Sequence, residues 1–160
     1  MTVKSVQIPN ARLTEGDYYT FTILKSISLR PDEEYYVMRE PNGFKLLMPK
    51  KFYTRYGFRP GQQVLCRVDK VNCIGRVFLE PEHPYYVEGK RYNFDVIEVE
   101  QVVDMNRRMV QSIVVRDVLD YEWRVSVPNE FMIDKQTASI NCLVKRIKKG
   151  RLYLEISSTG

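Results

Sequence analysis

Apolar and polar residues begin to alternate at Tyr19, Phe21 and Ile23, and the same alternation returns at Tyr92, Phe94 and Val96. A period of two residues is that of a strand with one buried face, so each run predicts the first strand of a β unit, opened by Gly16 or Gly89. In the first unit, EYYVMR at 34–39 leads through Pro41-Asn42-Gly43 into Phe44-Lys45-Leu46-Leu47-Met48, a hairpin joined by turn-forming residues. Residues 112–116 and 123–127 repeat it with a different turn at 117–122. Matching the two hairpins places Phe44, Leu46 and Met48 over Trp123, Val125 and Val127 and assigns both sets to the core face. Lys45 and Arg124 then point away from the core.

The strongest internal repeat comes later. GQQVLCRVDKVNCIGRVFLE at 61–80 and CLVKRIKKGRLYLE at 142–155 share a Cys-x-Val opening and a closing Gly-Arg-aliphatic-aromatic-Leu-Glu. Cys66, Val68 and Val71 lie over Cys142, Val144 and Ile147, and each pattern predicts a half-buried hairpin turning at a glycine. Between the third strand and this hairpin, Met48-Pro49-Lys50-Lys51-Phe52 and Val127-Pro128-Asn129-Glu130-Phe131 place a proline where a helix could start, with Gly57 as a stop in the first copy. A short helix is therefore expected between strands three and four. The chain divides into a leader (1–15), a first β domain (16–81), a Pro- and Tyr-containing linker (82–88) and a second β domain (89–160).

Composition narrows the class. Hydrophobic residues make up 44% and aromatic residues 12% of the 160, enough for a packed core in each copy. No apolar run approaches the roughly 20 residues of a membrane span, and MTVKSVQIPNARL lacks the apolar middle of a signal peptide, so no membrane association and a cytoplasmic location are expected. Three cysteines, with Cys66 and Cys142 at equivalent inward positions, point to small buried apolar residues in a reducing compartment. Cys73 and the sole histidine, His83, fall short of a zinc ligand set, and no metal or cofactor is expected.

The formal charge of +5 matters through its placement. From Lys45 to Arg76 the basic residues Lys50, Lys51, Arg55, Arg59, Arg67 and Lys70 are opposed by Asp69 alone, and Lys145, Arg146, Lys148, Lys149 and Arg151 enclose no acid. Such clusters draw in a polyanion.

The order of strand, strand, strand, short helix, strand, strand in each copy resembles the oligonucleotide/oligosaccharide-binding (OB) fold, a five-stranded Greek-key barrel. The stretches at 61–80 and 142–155 are similar to the closing half of the RNA-binding OB modules repeated in the largest bacterial small-subunit ribosomal protein. The fold this implies is all-β, two tandem five-stranded OB-like barrels, with ligand across the second and third strands. Carried onto this chain, that face holds Tyr35, Arg39 and Lys45 in the first copy, and Arg116 and Arg124 in the second. The closing hairpins add Arg67, Lys70, Arg76 and Phe78, then Lys145, Arg146, Lys149, Arg151 and Tyr153. An outward arginine beside a ring suits nucleic acid and equally suits a covered interface.

Nothing calls for catalysis. His83 lies in the proline-bounded linker, and the eight glycines form no phosphate-binding run. The expectation is a protein that binds single-stranded RNA or DNA through electrostatics with limited stacking. A protein-interaction module using the exposed tyrosines is the alternative, and oligosaccharide binding a third that the basic clusters do not require.

Overall fold

The computed structural model describes residues 13–157, so the first twelve residues of the leader lie outside the described residues. The chain forms two compact units, 1–84 and 85–160. Each is a single five-stranded antiparallel sheet, ordered β3-β2-β1-β4-β5 in the first unit and β10-β9-β6-β7-β8 in the second. The first sheet comprises β1 (Tyr18–Arg30), β2 (Glu33–Arg39), β3 (Lys45–Pro49), β4 (Gln63–Val71) and β5 (Val77–Pro81). The second comprises β6 (Arg91–Val103), β7 (Met109–Arg116), β8 (Glu122–Val127), β9 (Ser139–Lys148) and β10 (Arg151–Glu155). The outermost strands approach each other, β3 towards β5 and β8 towards β10, so each sheet curls towards closure. No helix among the described residues is long and apolar enough to cross a membrane.

Curling needs local breaks in the ladder, and the two units place them alike. Leu24 in β1 and Ile97 in β6 are the extra residues of matching bulges, as are Asp69 in β4 and Lys145 in β9. A bulge sharpens the right-handed twist, which a flat sheet would lack. The inward rows then meet as cores, with Phe21, Ile23, Met38, Met48, Cys66 and Val68 buried in the first unit. Phe94, Ile113, Val115, Val125, Cys142, Val144 and Leu152 are their counterparts.

The repeat extends beyond its predicted edges. The Glu15 carboxylate accepts the Val71 amide at 2.9 Å, and Glu88 accepts the Ile147 amide at 2.6 Å, just past the β4 and β9 bulges. Gly16 and Gly89 donate their amides to the Val68 and Val144 carbonyls at 2.8 and 2.7 Å. The end of the leader and the end of the linker therefore belong to the barrels they precede. His83 packs in the first unit with its ring 5.1 Å from Tyr56, whereas Tyr86 stacks on Phe94 at 5.3 Å in the core of the second. Replacing Glu88 with alanine leaves a part-buried amide without its carboxylate acceptor. We expect a loss of about 1.5–3 kcal/mol from the unfolding free energy of the second unit, measured by urea denaturation.

The expected helix is absent. Between β3 and β4 the chain makes successive turns, with Tyr53 donating its amide to the Lys50 carbonyl and Tyr56 to that of Tyr53, both at 3.0 Å. In the second unit the matching segment has two separate turns, in which the Phe131 amide reaches the Pro128 carbonyl and the Thr137 amide reaches that of Asp134. Side-chain burial overrides the helix signal in the first copy. Tyr53 and Tyr56 are both buried, their rings 5.3 Å apart, and the Tyr53 hydroxyl donates to Glu80 Oε1 at 3.1 Å. Seating both rings against the barrel requires turns that a regular helix would not supply.

Buried thiols give the units a common alkaline sensitivity. Burial pushes the Cys142 thiol up to about 11 from an ordinary value of 9.0, partly offset by Arg91, and pushes the Tyr86 phenol up to about 12. Both groups stay neutral in the fold at a pH where the unfolded chain ionises. Their contribution is therefore complete below pH 9 and is lost as pH rises through 11 and 12. The unfolding free energy of the second unit should fall across that window, and Cys142→Val should remove the lower part of the decline.

Candidate nucleic-acid interface

The meeting of β8 and β10 gathers aromatic and cationic side chains into one strip. Arg151 lies over the Tyr153 ring, its Cζ 5.2 Å from the centroid, and over the Trp123 ring at 5.9 Å. Tyr121 continues the row, its ring 5.7 Å from Trp123 and inclined by 34°. Arg146 sits directly across from Tyr153 in the β9–β10 register, and Arg146, Arg151 and Tyr153 are all exposed. A planar guanidinium over a ring is held in place while its outer face stays available to a base or phosphate.

Alternation assigns Trp123 to the core face. It lies on the inward side of β8, but at the strand's start, where the barrel opens, so it is half-buried and presents part of its ring to Arg151. Its indole N–H donates to Asp117 Oδ2 at 2.8 Å. Asp117 is buried, and its Oδ1 accepts the amides of Leu119 and Tyr121 at 2.8 and 3.1 Å. One carboxylate thus shapes the turn and orients the indole. The signal was in the sequence as an aspartate six positions before the chain's single tryptophan. Nothing in periodicity attaches meaning to it.

The first unit carries the same device in weaker form. Arg76 lies over Phe78 at 5.1 Å, with Lys70 across from Phe78 in the β4–β5 register. The registers correct the expected pairing of the third strands by two residues: Leu46 and Met48 stand where the second unit has Trp123 and Val125, Phe44 where it has Tyr121, and Glu40 where it has Asp117. Glu40 Oε1 accepts the Phe44 amide at 3.2 Å as Asp117 accepts that of Tyr121, but Leu46 has no ring donor, and the buried Glu40 Oε2 has no hydrogen-bond partner among the described residues.

The outer face of the second and third strands differs sharply between copies. In the first unit Arg39 and Lys45 are directly opposed across β2 and β3, both exposed, in a row with Thr22 and Gln63. Like charges opposed across strands are unfavourable until an anion lies between them. Neither carries an ion pair among the described residues. Lys25 stands on the same face beside Val37 and Leu47. Tyr35 lies further along and donates its hydroxyl to Glu33 at 3.2 Å.

In the second unit Arg116 pairs with Glu122 at 3.1 Å, and Arg124 pairs with Glu100. Asp95 and Glu98 occupy the same outer face of β6, so this wall is largely self-neutralised. Arg67 is also engaged, its side chain mostly covered and 3.2 Å from Asp69. Lys145 reaches Glu155 at 3.5 Å, and Lys149 occupies the turn before β10 with φ of 53°. Tyr35 and Lys149 aside, the predicted residues therefore fall into two groups. Arg39, Lys45, Lys70, Arg76, Phe78, Arg146, Arg151 and Tyr153 stand on open cationic surfaces, whereas Arg67, Arg116, Arg124 and Lys145 are balanced by acids. Among the described residues no group of three His, Cys, Asp or Glu side chains could hold a metal ion.

No protein-family model matches the chain, and no curated protein sequence matches it significantly.

Proposed function

We propose that this chain is a tandem OB-fold protein that binds single-stranded nucleic acid, RNA in particular, and acts as a binder rather than an enzyme. The strand order β3-β2-β1-β4-β5, with β3 and β5 approaching at the ends, supports the OB reading. The observation that carries the ligand class is the strip of Tyr121, Trp123, Arg151 and Tyr153 with Arg146 beside it. Rings offer stacking surfaces to any base, worth about 1–3 kcal/mol each, and the arginines meet phosphate. Arg39 and Lys45 supply a second cationic footing in the first unit, and engagement of both units by one strand would raise affinity through effective concentration.

The test is a titration of fluorescently labelled single-stranded RNA and DNA at several salt concentrations. Log affinity should fall linearly with log salt, with a slope of about 0.7 for each phosphate contacted. Absence of binding at low salt, or affinity indifferent to salt, would overturn the reading.

A further inference from the structure

The two barrels share a long hairpin between their first and second strands, and its tip has opposite chemistry in each. In the first unit it ends in Ser28 across from Glu34 and Arg30 across from Glu33, with Leu29 as the extra residue between them and Arg30 paired to Glu33 at 3.3 Å. This tip is charged, self-neutralised and solvated. In the second unit the same position holds Val102 across from Val110 and Val103 across from Met109, capped by a turn that exposes Met105 almost completely. Because the first copy folds without them, these apolar side chains are not a requirement of the architecture.

A second segment makes the surface concave. Residues 128–133 run beside β7, and the Gln111 carboxamide fastens them there. Its Nε2 donates to the Ile133 carbonyl at 2.8 Å and its Oε1 accepts the Ile133 amide at 3.1 Å. Met132, 94% exposed, and Phe131 then form one wall of a groove whose other wall is Met109 and Val110. Gln101 and Asn129 stand at its lip. In the first unit the corresponding loop spends its rings, Tyr53 and Tyr56, on its own core.

We propose that this groove docks a segment of a partner polypeptide presenting an aliphatic or aromatic side chain beside acidic residues. Methionine walls adapt to irregular apolar side chains, and carboxamides at the lip suit a polypeptide backbone. The acidic preference comes from Arg107 and Arg108 at the hairpin tip, both exposed and neither ion-paired among the described residues. Complementary charge there selects and steers the partner. This surface uses none of the Arg–aromatic strip, so it stands or falls separately from nucleic-acid binding.

The experiment selects short random peptides displayed on phage against the full chain and measures the enriched peptides by fluorescence polarisation. Enriched sequences should combine Leu, Phe or Trp with Asp or Glu. Met132→Glu and the pair Arg107→Glu/Arg108→Glu should each weaken binding by about tenfold or more, with Leu29→Glu as an unaffected control. Met132 is exposed enough that an unchanged urea midpoint will certify its fold. Lack of enrichment, or peptides indifferent to Met132→Glu, would sink the proposal. So would phosphatidylserine vesicles that bind with the same dependence on Met132, or a dimer that Met132→Glu converts to monomer, since either assigns the groove a different occupant.

Discussion

A chain carrying Arg146→Glu and Arg151→Glu should bind single-stranded RNA about a hundredfold more weakly at low salt, a loss of about 2.7 kcal/mol. Both side chains are exposed, and neither forms an ion pair among the described residues, so reversal breaks no ion pair. What changes is the potential over the strip and the guanidinium held above Trp123 and Tyr153. Losing two phosphate contacts should also flatten the salt dependence by about 1.4 in the log–log slope. The matched control is Arg116→Glu with Arg124→Glu, where Glu122 and Glu100 already neutralise the arginines. A control that weakened binding as much as the strip variant would move the site to the second and third strands. Equal salt slopes for wild type and strip variant would remove the strip from the phosphate path.

Phe94→Ala should cost the second unit about 3–5 kcal/mol, the range for removing a buried ring whose surroundings cannot collapse. Phe94 is 1% exposed and lies against the stacked Tyr86 ring, inside a core framed by β-branched residues with little freedom to refill the space. Small domains hold about 5–15 kcal/mol in all, so this loss leaves the unit marginal. The measurement is simple because Trp123, the chain's single tryptophan, lies in this unit and reports its unfolding by fluorescence. The urea midpoint should drop with the slope unchanged. A shift equivalent to less than about 1 kcal/mol would mean that the ring does not fill the core as described.

These results would also bear on how the barrels divide their labour. A repeat predicts equal faces, yet the second and third strands are openly cationic in one copy and ion-paired in the other. The cause lies on the flanking strands. Lys45 in β3 stands where β8 has Glu122, the partner of Arg116, and Thr22 and Lys25 in β1 stand where β6 has Asp95 and Glu98, with Glu100, the partner of Arg124, further along. Those acids were visible in the sequence, but their targets were not. Arg124 and Glu100 are far apart along the chain and come together only across three strands.

Periodicity and the internal repeat determined most of the architecture, because burial of one sheet face imposes a two-residue period that sequence displays directly. Two all-β units, their strand order along the chain, the buried cysteines and the outward position of Lys45, Arg124 and Arg151 were all legible. Tertiary structure alone decided the rest. It replaced the expected helix with turns, because two tyrosines had to reach the core of the first barrel. It drew the ends of leader and linker into the barrels through Glu15 and Glu88, whose carboxylates serve bulge amides distant in the chain. It brought Trp123 to Arg151 by curling β8 towards β10. Each depends on the closure of the sheet, a global property that no local pattern encodes, and that closure assembles the strip on which the proposed recognition rests.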